Sequence, residues 1–354
     1  MRILFLSSYV DPGSGASILL RLAKRLQARG EEVRILTTNS GYDSELVRSA
    51  LLPPGIAAIN RAFNKLVPNY FSLAWFPLLK EIRKFNPDVI NIHWTHGTTI
   101  PIQLIAKLTR TWPVFWTLHD MWPLTKNTPF EYSGGMALRE QPLTLKKRLK
   151  KRLTLMPDLL FDYKVRTLGS AAIHTISPSK WLQHKAMQSP VFRSAVNHHI
   201  PNGVDTDIFR PLDRAALRKA YGIGEDQKVV LFLSARLDDQ RKGFYYYAKA
   251  LEHLREVDPG LIGNLVTLLI GKNSAEASEY LSGAAMNLGS TRDLATLVEY
   301  YNLADVFVSA SIADNFPSTS LESSACGTPV VAFDVGGIAE IVLHNETGLL
   351  AENK

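Results

Sequence analysis

Apolar runs too brief for helices alternate with stretches of helical period along most of the chain, and that alternation admits few folds. Residues 2–7 (RILFLS) read as a buried strand and Pro12, Gly13 and Gly15 as the turn behind it. Residues 16–29 read as a helix with Ile18, Leu19, Leu22, Ala23 and Leu26 at helical spacing, stopped by Gly30. Further strands are predicted at 33–37, 89–92, 114–118 and 171–176, with helices at 102–109 and after Pro178. The series restarts with strands at 229–234, 265–270, 306–309 and 330–333. Its helices fall at 244–256, 292–303 and 318–326, and Gly336 and Gly337 open a last one. Between the two series lies IPNGVDTDIFRPLD, residues 200–213, which has no period and reads as a linker. Two βα series imply an α/β chain of two doubly wound, Rossmann-like domains, 1–203 and 204–354, facing across a cleft. Such sheets bind ligands at the carboxyl ends of their strands. The 354 residues suffice for two domains, each with its own core.

A hydrophobic fraction of 46% with 21% charged residues rules out a disordered chain, a coiled coil and a collagen. The single cysteine, Cys326, permits neither an intrachain disulfide nor a Cys-rich zinc site, and it fits a reducing compartment. Within SSACG it reads as a small buried hydrophobe. The N-terminal apolar run is too short for a signal-peptide core, and no apolar stretch of about 18 residues exists. A cytoplasmic chain is expected, soluble or peripheral at the inner face of a membrane. The net charge of +7 is local: KKRLKKRL at 146–153 carries six cations, without which the total falls to +1. No spread-out nucleic-acid-binding face is indicated. Leu145, Leu149, Leu153 and Met156 line one helical face there, flanked by Lys146, Lys147, Arg148, Lys150, Lys151 and Arg152. Such a segment can lie on an anionic membrane surface, or it can pack its leucines and solvate its charges.

Gly13 and Gly15, between a strand and a helix, can bring backbone N–H groups to a phosphate. A dinucleotide fingerprint would need glycine or alanine at Ile18 and an acid at the end of the second strand, where Thr37 sits, so a nicotinamide cofactor is disfavoured. His93, Trp94 and His96 end one predicted strand, and Trp116, His119, Asp120 and Trp122 end another. Four of the six tryptophans fall between 94 and 122, which suggests a pocket wall; core packing and a three-histidine metal site are the alternatives. Arg236 and Lys242, in SARLDDQRKGF just before a helix, suit a diphosphate, whereas Arg241 beside them reads as a solvated charge. Asp314 lies in a loop and Glu322 in the first turn of the next helix, where a carboxylate can accept two hydroxyl hydrogen bonds. Against that, Thr319 and Glu322 have capping-box spacing.

The segments HWTHG, WTLHDMWPLT, PNGVDTDIFRP, SARLDDQRKG, the Asp314-x7-Glu322 stretch and CGTPVVAFDVGGIAEIV, in this order, resemble the glycosyltransferase family 4 enzymes of GT-B fold. HWTHG and LHDMWPLT are most similar to the exopolysaccharide, colanic-acid-type branch. The resemblance implies a retaining transferase that needs no metal and no cofactor. It would move a hexosyl group from a UDP- or GDP-sugar to a saccharide or lipid-linked saccharide in cell-surface polysaccharide synthesis. It implies that Arg236 and Lys242 hold the diphosphate and that Glu322 holds the ribose. Asp314 would contact the sugar, with Asn315 and Phe316 beside it in the donor site. His119 would sit by the transferring sugar, and Gly13 and Gly15 would line the cleft. The chain departs from the family pattern in three places. Asp314 stands where glutamate is usual, TKNTPFEYSGG lacks the cysteines common there, and the chain stops at GLLAENK, where family members run on for further helices. A truncated or inactive relative that binds nucleotide sugar without transfer is the alternative expectation. An epimerase on the same fold is a third, disfavoured by PNGVD and the acidic pair.

Overall fold

The computed structural model describes residues 1–10, 17–38, 44–53, 55–60, 72, 75–95, 100–126, 128–132, 157–281 and 283–352. The described residues divide into two compact units, one within residues 1–201 apart from Tyr132, the other formed by Tyr132 and the residues from Asn202 on. Gly13, Gly15, His96 and the basic run 146–153 lie outside the described residues.

The first unit is a seven-stranded parallel sheet of order β3-β2-β1-β4-β5-β6-β7. Its strands are β1 (Arg2–Ser7), β2 (Glu32–Thr37), β3 (Val47–Ser49), β4 (Val89–Ile92), β5 (Val114–Thr117), β6 (Ile173–Ser177) and β7 (Val196–His199). Successive strand residues face opposite ways, and both faces are covered. Leu4, Leu6, Ile90, Ile92, Val114 and Trp116 pack with Leu78 and Ile82 of the helix Trp75–Phe85 and with Ile105 and Leu108 of the helix Ile102–Leu108. Ile3, Phe5, Val33 and Ile35 pack instead with Leu19, Leu20 and Ala23 of the helix Ser17–Ala28. Burial on both faces is why the inner strands read as unbroken apolar runs.

The second unit is a six-stranded parallel sheet of order β10-β9-β8-β11-β12-β13. The strands are β8 (Lys228–Arg236), β9 (Leu265–Lys272), β10 (Ala284–Asn287), β11 (Val306–Ser309), β12 (Val330–Phe333) and β13 (Gly348–Ala351). Leu231, Leu268 and Phe307 pack under Tyr301 and Leu303 of the helix Leu294–Leu303, while Phe232 and Leu269 pack under Tyr247 and Leu251 of the helix Phe244–Val257. Cys326 is buried in the first of these layers, where burial pushes its thiol up to about 12.

Two expectations need correction. Residues 200–213 are not a free linker. Phe209 is fully buried in the second unit's core, and Asn302 accepts from the Leu212 amide at 2.7 Å and donates to the Arg210 carbonyl at 3.0 Å. The segment lacks a period because one aromatic and one asparagine hold it, rather than a repeating face. Gly336 and Gly337 open no full helix but a single 3-10 turn, Ile338–Glu340. Among the described residues, no helix is long and apolar enough to cross a membrane.

Candidate functional site

In each sheet the strand order reverses at one place, between β1 and β4 and between β8 and β11. The chain leaves those neighbouring strands in opposite directions, which opens a crevice at their carboxyl ends. Among the described residues singled out in the sequence, His93, Trp94 and His119 lie together in the first unit and Lys242 and Asp314 in the second.

In the first unit the strands continue to pair beyond Ser7 and Ile92. The His93 amide donates to the Leu6 carbonyl at 2.9 Å, and the Ser8 amide to the Trp94 carbonyl at 2.8 Å. This holds the buried His93 ring beneath His119, with Nδ1 and Nε2 2.8 Å apart. On its other side His119 stacks on Trp94, ring centroids 3.7 Å apart and planes 11° from parallel, and Tyr9 lies 5.8 Å from Trp94. Burial pulls the His119 imidazole down from 6.5 to about 4, against the opposing pull of Asp120. Burial first, and then the neighbouring His119, lowers His93 well below 6.5. Both rings are therefore neutral at pH 7, so each carries one N–H and one lone pair. Of the tryptophans read as a pocket wall, Trp116 and Trp122 are core residues, 1% and 2% exposed, and only the half-buried Trp94 stands beside His119. The Asp120 carboxylate accepts from the Trp122 amide at 2.9 Å and closes the turn after His119. Beneath that turn Lys164, fully buried on the helix Pro157–Leu168, donates to the carbonyls of Trp122 and Thr125, each at 2.8 Å.

In the second unit three loops converge. Gly243 caps the start of the helix Phe244–Val257 with φ +71°, and a Cβ there would come within 1.7 Å of the Ala310 carbonyl oxygen. Gly336, at φ +60°, sits as close to the Asp314 carbonyl, where a Cβ would stand at 1.8 Å. Only glycine allows both approaches. The Ile312 amide donates to the Arg241 carbonyl, and the Gly337 amide to the Asn315 carbonyl, both at 2.9 Å. Asp314 lies at the centre. Its Oδ2 accepts from Lys242 at 2.6 Å and from Arg241 at 3.2 Å, and its Oδ1 accepts from the Asn315 amide at 3.0 Å. Burial raises the Asp314 carboxyl, but the charges of Lys242 and Arg241 outweigh it and hold the group below its usual 3.8. Asn315 and Phe316 are buried beside it.

Arg241, set aside in the sequence as a solvated charge, thus belongs to the cluster: it also donates to the Ala313 carbonyl at 3.1 Å. Arg236 ends β8 with its side chain 60% exposed, held by Asp238 at 2.6 and 3.0 Å. Glu322 lies in the second turn, not the first, of the helix Ser318–Ala325. No capping box forms, because Pro317 holds the cap position without a side-chain bond. The Glu322 carboxylate is buried and accepts from the Tyr301 hydroxyl at 3.2 Å. Tyr301 and Lys164 carry no motif; each shows in the sequence only as a polar tip on an otherwise apolar helix face.

Residues 15–208 match the family described as Glycosyltransferase Family 4. The chain belongs to this family. Residues 213–354 match a second family description, Glycosyl transferases group 1, so the second sheet falls in a different match from most of the first. A D-inositol 3-phosphate glycosyltransferase of Acidothermus cellulolyticus is 36% identical over 164 residues, which cover 43% of this chain and 36% of that protein. The match thus spans little more than a third of the curated relative's length. Among solved structures, sucrose-phosphate synthase from Thermosynechococcus elongatus superposes with a TM-score of 0.67 at 19% identity, covering 100% of this chain and 86% of that one. Anabaena HepE in complex with UDP gives 0.67 at 19% identity, covering 99% and 86%. These likenesses place the family 4 chain in the GT-B fold, with two Rossmann-like parallel sheets.

Proposed function

We propose that the protein is a retaining hexosyltransferase that uses a nucleoside-diphosphate sugar. The observation that carries this reading is the Lys242–Asp314–Arg241 cluster at the switch point of the second sheet, beside the start of the helix Phe244–Val257. Two cations there, fixed by one carboxylate, can neutralise a diphosphate at a helix N-terminus. Lys242 supplies a point charge, and Arg236 joins it by exchanging Asp238 for a phosphate oxygen. Asp314 keeps a lone pair on Oδ1 for a sugar hydroxyl, beside Asn315 and Phe316, and Glu322, steadied by Tyr301, takes the ribose. Neutral His119 offers one ring nitrogen to the transferring sugar. In the transfer, the bond from the anomeric carbon to the diphosphate oxygen breaks and a bond to the acceptor oxygen forms on the same face. The acceptor's proton passes to the departing diphosphate.

The acceptor is a saccharide, lipid-linked as in the exopolysaccharide branch that HWTHG and LHDMWPLT resemble, and the basic run 146–153 would keep the enzyme on an anionic membrane. The relative named for D-inositol 3-phosphate supports an inositol phosphate as a second acceptor class.

Calorimetric titration with UDP-, GDP- and ADP-sugars, followed by transfer of labelled sugar to lipid-linked saccharide or to inositol phosphate, tests the reading. One donor should bind in the micromolar range, about −8 kcal/mol, and transfer label to one acceptor. Binding without transfer would mark an inactive relative, and a changed donor sugar would mark an epimerase. Failure of every donor to bind would remove the reading. Liposome co-sedimentation that ignores salt and substitution of the six cations by Gln would remove the membrane role of 146–153.

A further inference from the structure

We propose that Lys164 is a positioning residue, whose ammonium sets how the loop after β5 presents His119, and that it governs turnover more than global stability. The proposal rests on the transferase reading for its kinetic consequence, but not for its structural one.

The helix Pro157–Leu168 lays Leu160, Phe161, Val165 and Leu168 against the first unit's core, and Lys164 falls in the middle of that apolar face. Its side chain is 0% exposed. Burial pulls its amine down from 10.5 to about 7 against the opposing pull of Asp120, and methionine or leucine would fill the space without that cost. What only a multiple donor provides is the pair of hydrogen bonds to Trp122 O and Thr125 O, with Nζ also 4.0 Å from the centre of the Trp122 ring. Those carbonyls bracket one turn. The Leu124 and Thr125 amides both donate back to the Met121 carbonyl, and Asp120 receives the Trp122 amide. One nitrogen therefore fixes both ends of the segment that leaves His119. The rings on its far side, Trp94 and His93, are held by β4 rather than by this loop. Without the ammonium, two carbonyls lose their donor and the turn can shift against that fixed pair. Misplacing a group at a reacting centre by about 1 Å can lower a rate by roughly a hundredfold.

The test is Lys164→Met in the full chain, with three measurements. Thermal unfolding should stay within a few degrees of the parent. Amide hydrogen exchange should quicken by about tenfold in residues 118–126 and stay unchanged elsewhere. With the donor found by titration, kcat should fall roughly ten- to hundredfold while the donor KM stays within about twofold. Parental exchange in 118–126, parental kcat, or a variant that unfolds as a whole would each overturn the proposal. If the parent transfers no sugar, the transferase reading fails by itself, and the exchange pattern still decides whether Lys164 holds this loop.

Discussion

Where β1 and β4 part, the first unit gathers neutral rings: His119 stacks against both His93 and Trp94, and burial keeps both imidazoles unprotonated. Where β8 and β11 part, the second unit gathers full charges: Lys242 and Arg241 around Asp314. The topology is the same, so the chemistry is set by what each crevice is lined with. Aromatic and imidazole surfaces suit hydroxyls and the apolar face of a sugar ring, whereas paired cations suit phosphate.

The comparison breaks most visibly at Asp314. Asp314→Ala leaves two largely buried cations without their carboxylate, and we expect a loss of about 3–5 kcal/mol in the second unit. Urea unfolding followed by hydrogen exchange should show the loss there, and an unchanged midpoint would mean that solvent already screens the cluster. Acid should separate the two sites next. As pH falls from 6.5 towards 4, the unfolded chain takes up a proton that buried His119 refuses, so stability drops by up to about 3 kcal/mol. The Asp314 carboxyl acts later. Held below 3.8, it contributes fully above that pH and is lost only as the pH falls through its lowered value. His119→Gln should shrink the first limb without abolishing it, because buried His93 refuses a proton over the same range; a limb of unchanged size would take His119 out of it.

Lys242→Ala should weaken donor binding by 1.5–3 kcal/mol, about ten- to hundredfold, as expected for a lost hydrogen bond to a charged group. Calorimetry with the preferred donor reads this directly, and unchanged affinity would move the diphosphate away from the cluster. The smallest effect is expected at Arg236. Its pair with Asp238 is exposed, so Arg236→Ala should leave the unfolding midpoint close to the parent's. Donor affinity should fall less than for Lys242→Ala, because Asp238 competes for the guanidinium. A larger loss at Arg236 would reverse the ranking of the two cations.

What the sequence concealed follows a physical rule. The inner strands are legible because both faces of a parallel sheet are covered, as in LFLS, VINI and VFWT. The four strands that pattern reading misses, β3, β7, β10 and β13, are the edges of the two sheets. There VRS and VNHH are short and partly solvated, so neither an apolar run nor a clean alternation arises. In the site, His119, Lys242 and Asp314 stand out through their motifs. Arg241 does not, because only the folded loop shows that both adjacent cations reach Asp314. Trp116 and Trp122 mislead for the opposite reason: their place near strand ends resembles a pocket wall, but their side chains complete the core.

The anchoring of residues 202–213 has a practical consequence for dividing the protein. The family match to the second half begins at residue 213, so a gene fragment cut to that boundary would begin after Phe209 and Leu212. It would discard an aromatic ring that touches Tyr301 and sits fully buried, and it would strip Asn302 of two of its backbone partners. A fragment that starts at Asn202 carries those groups with it. The shorter one is expected to yield insoluble material, although by homology it looks complete.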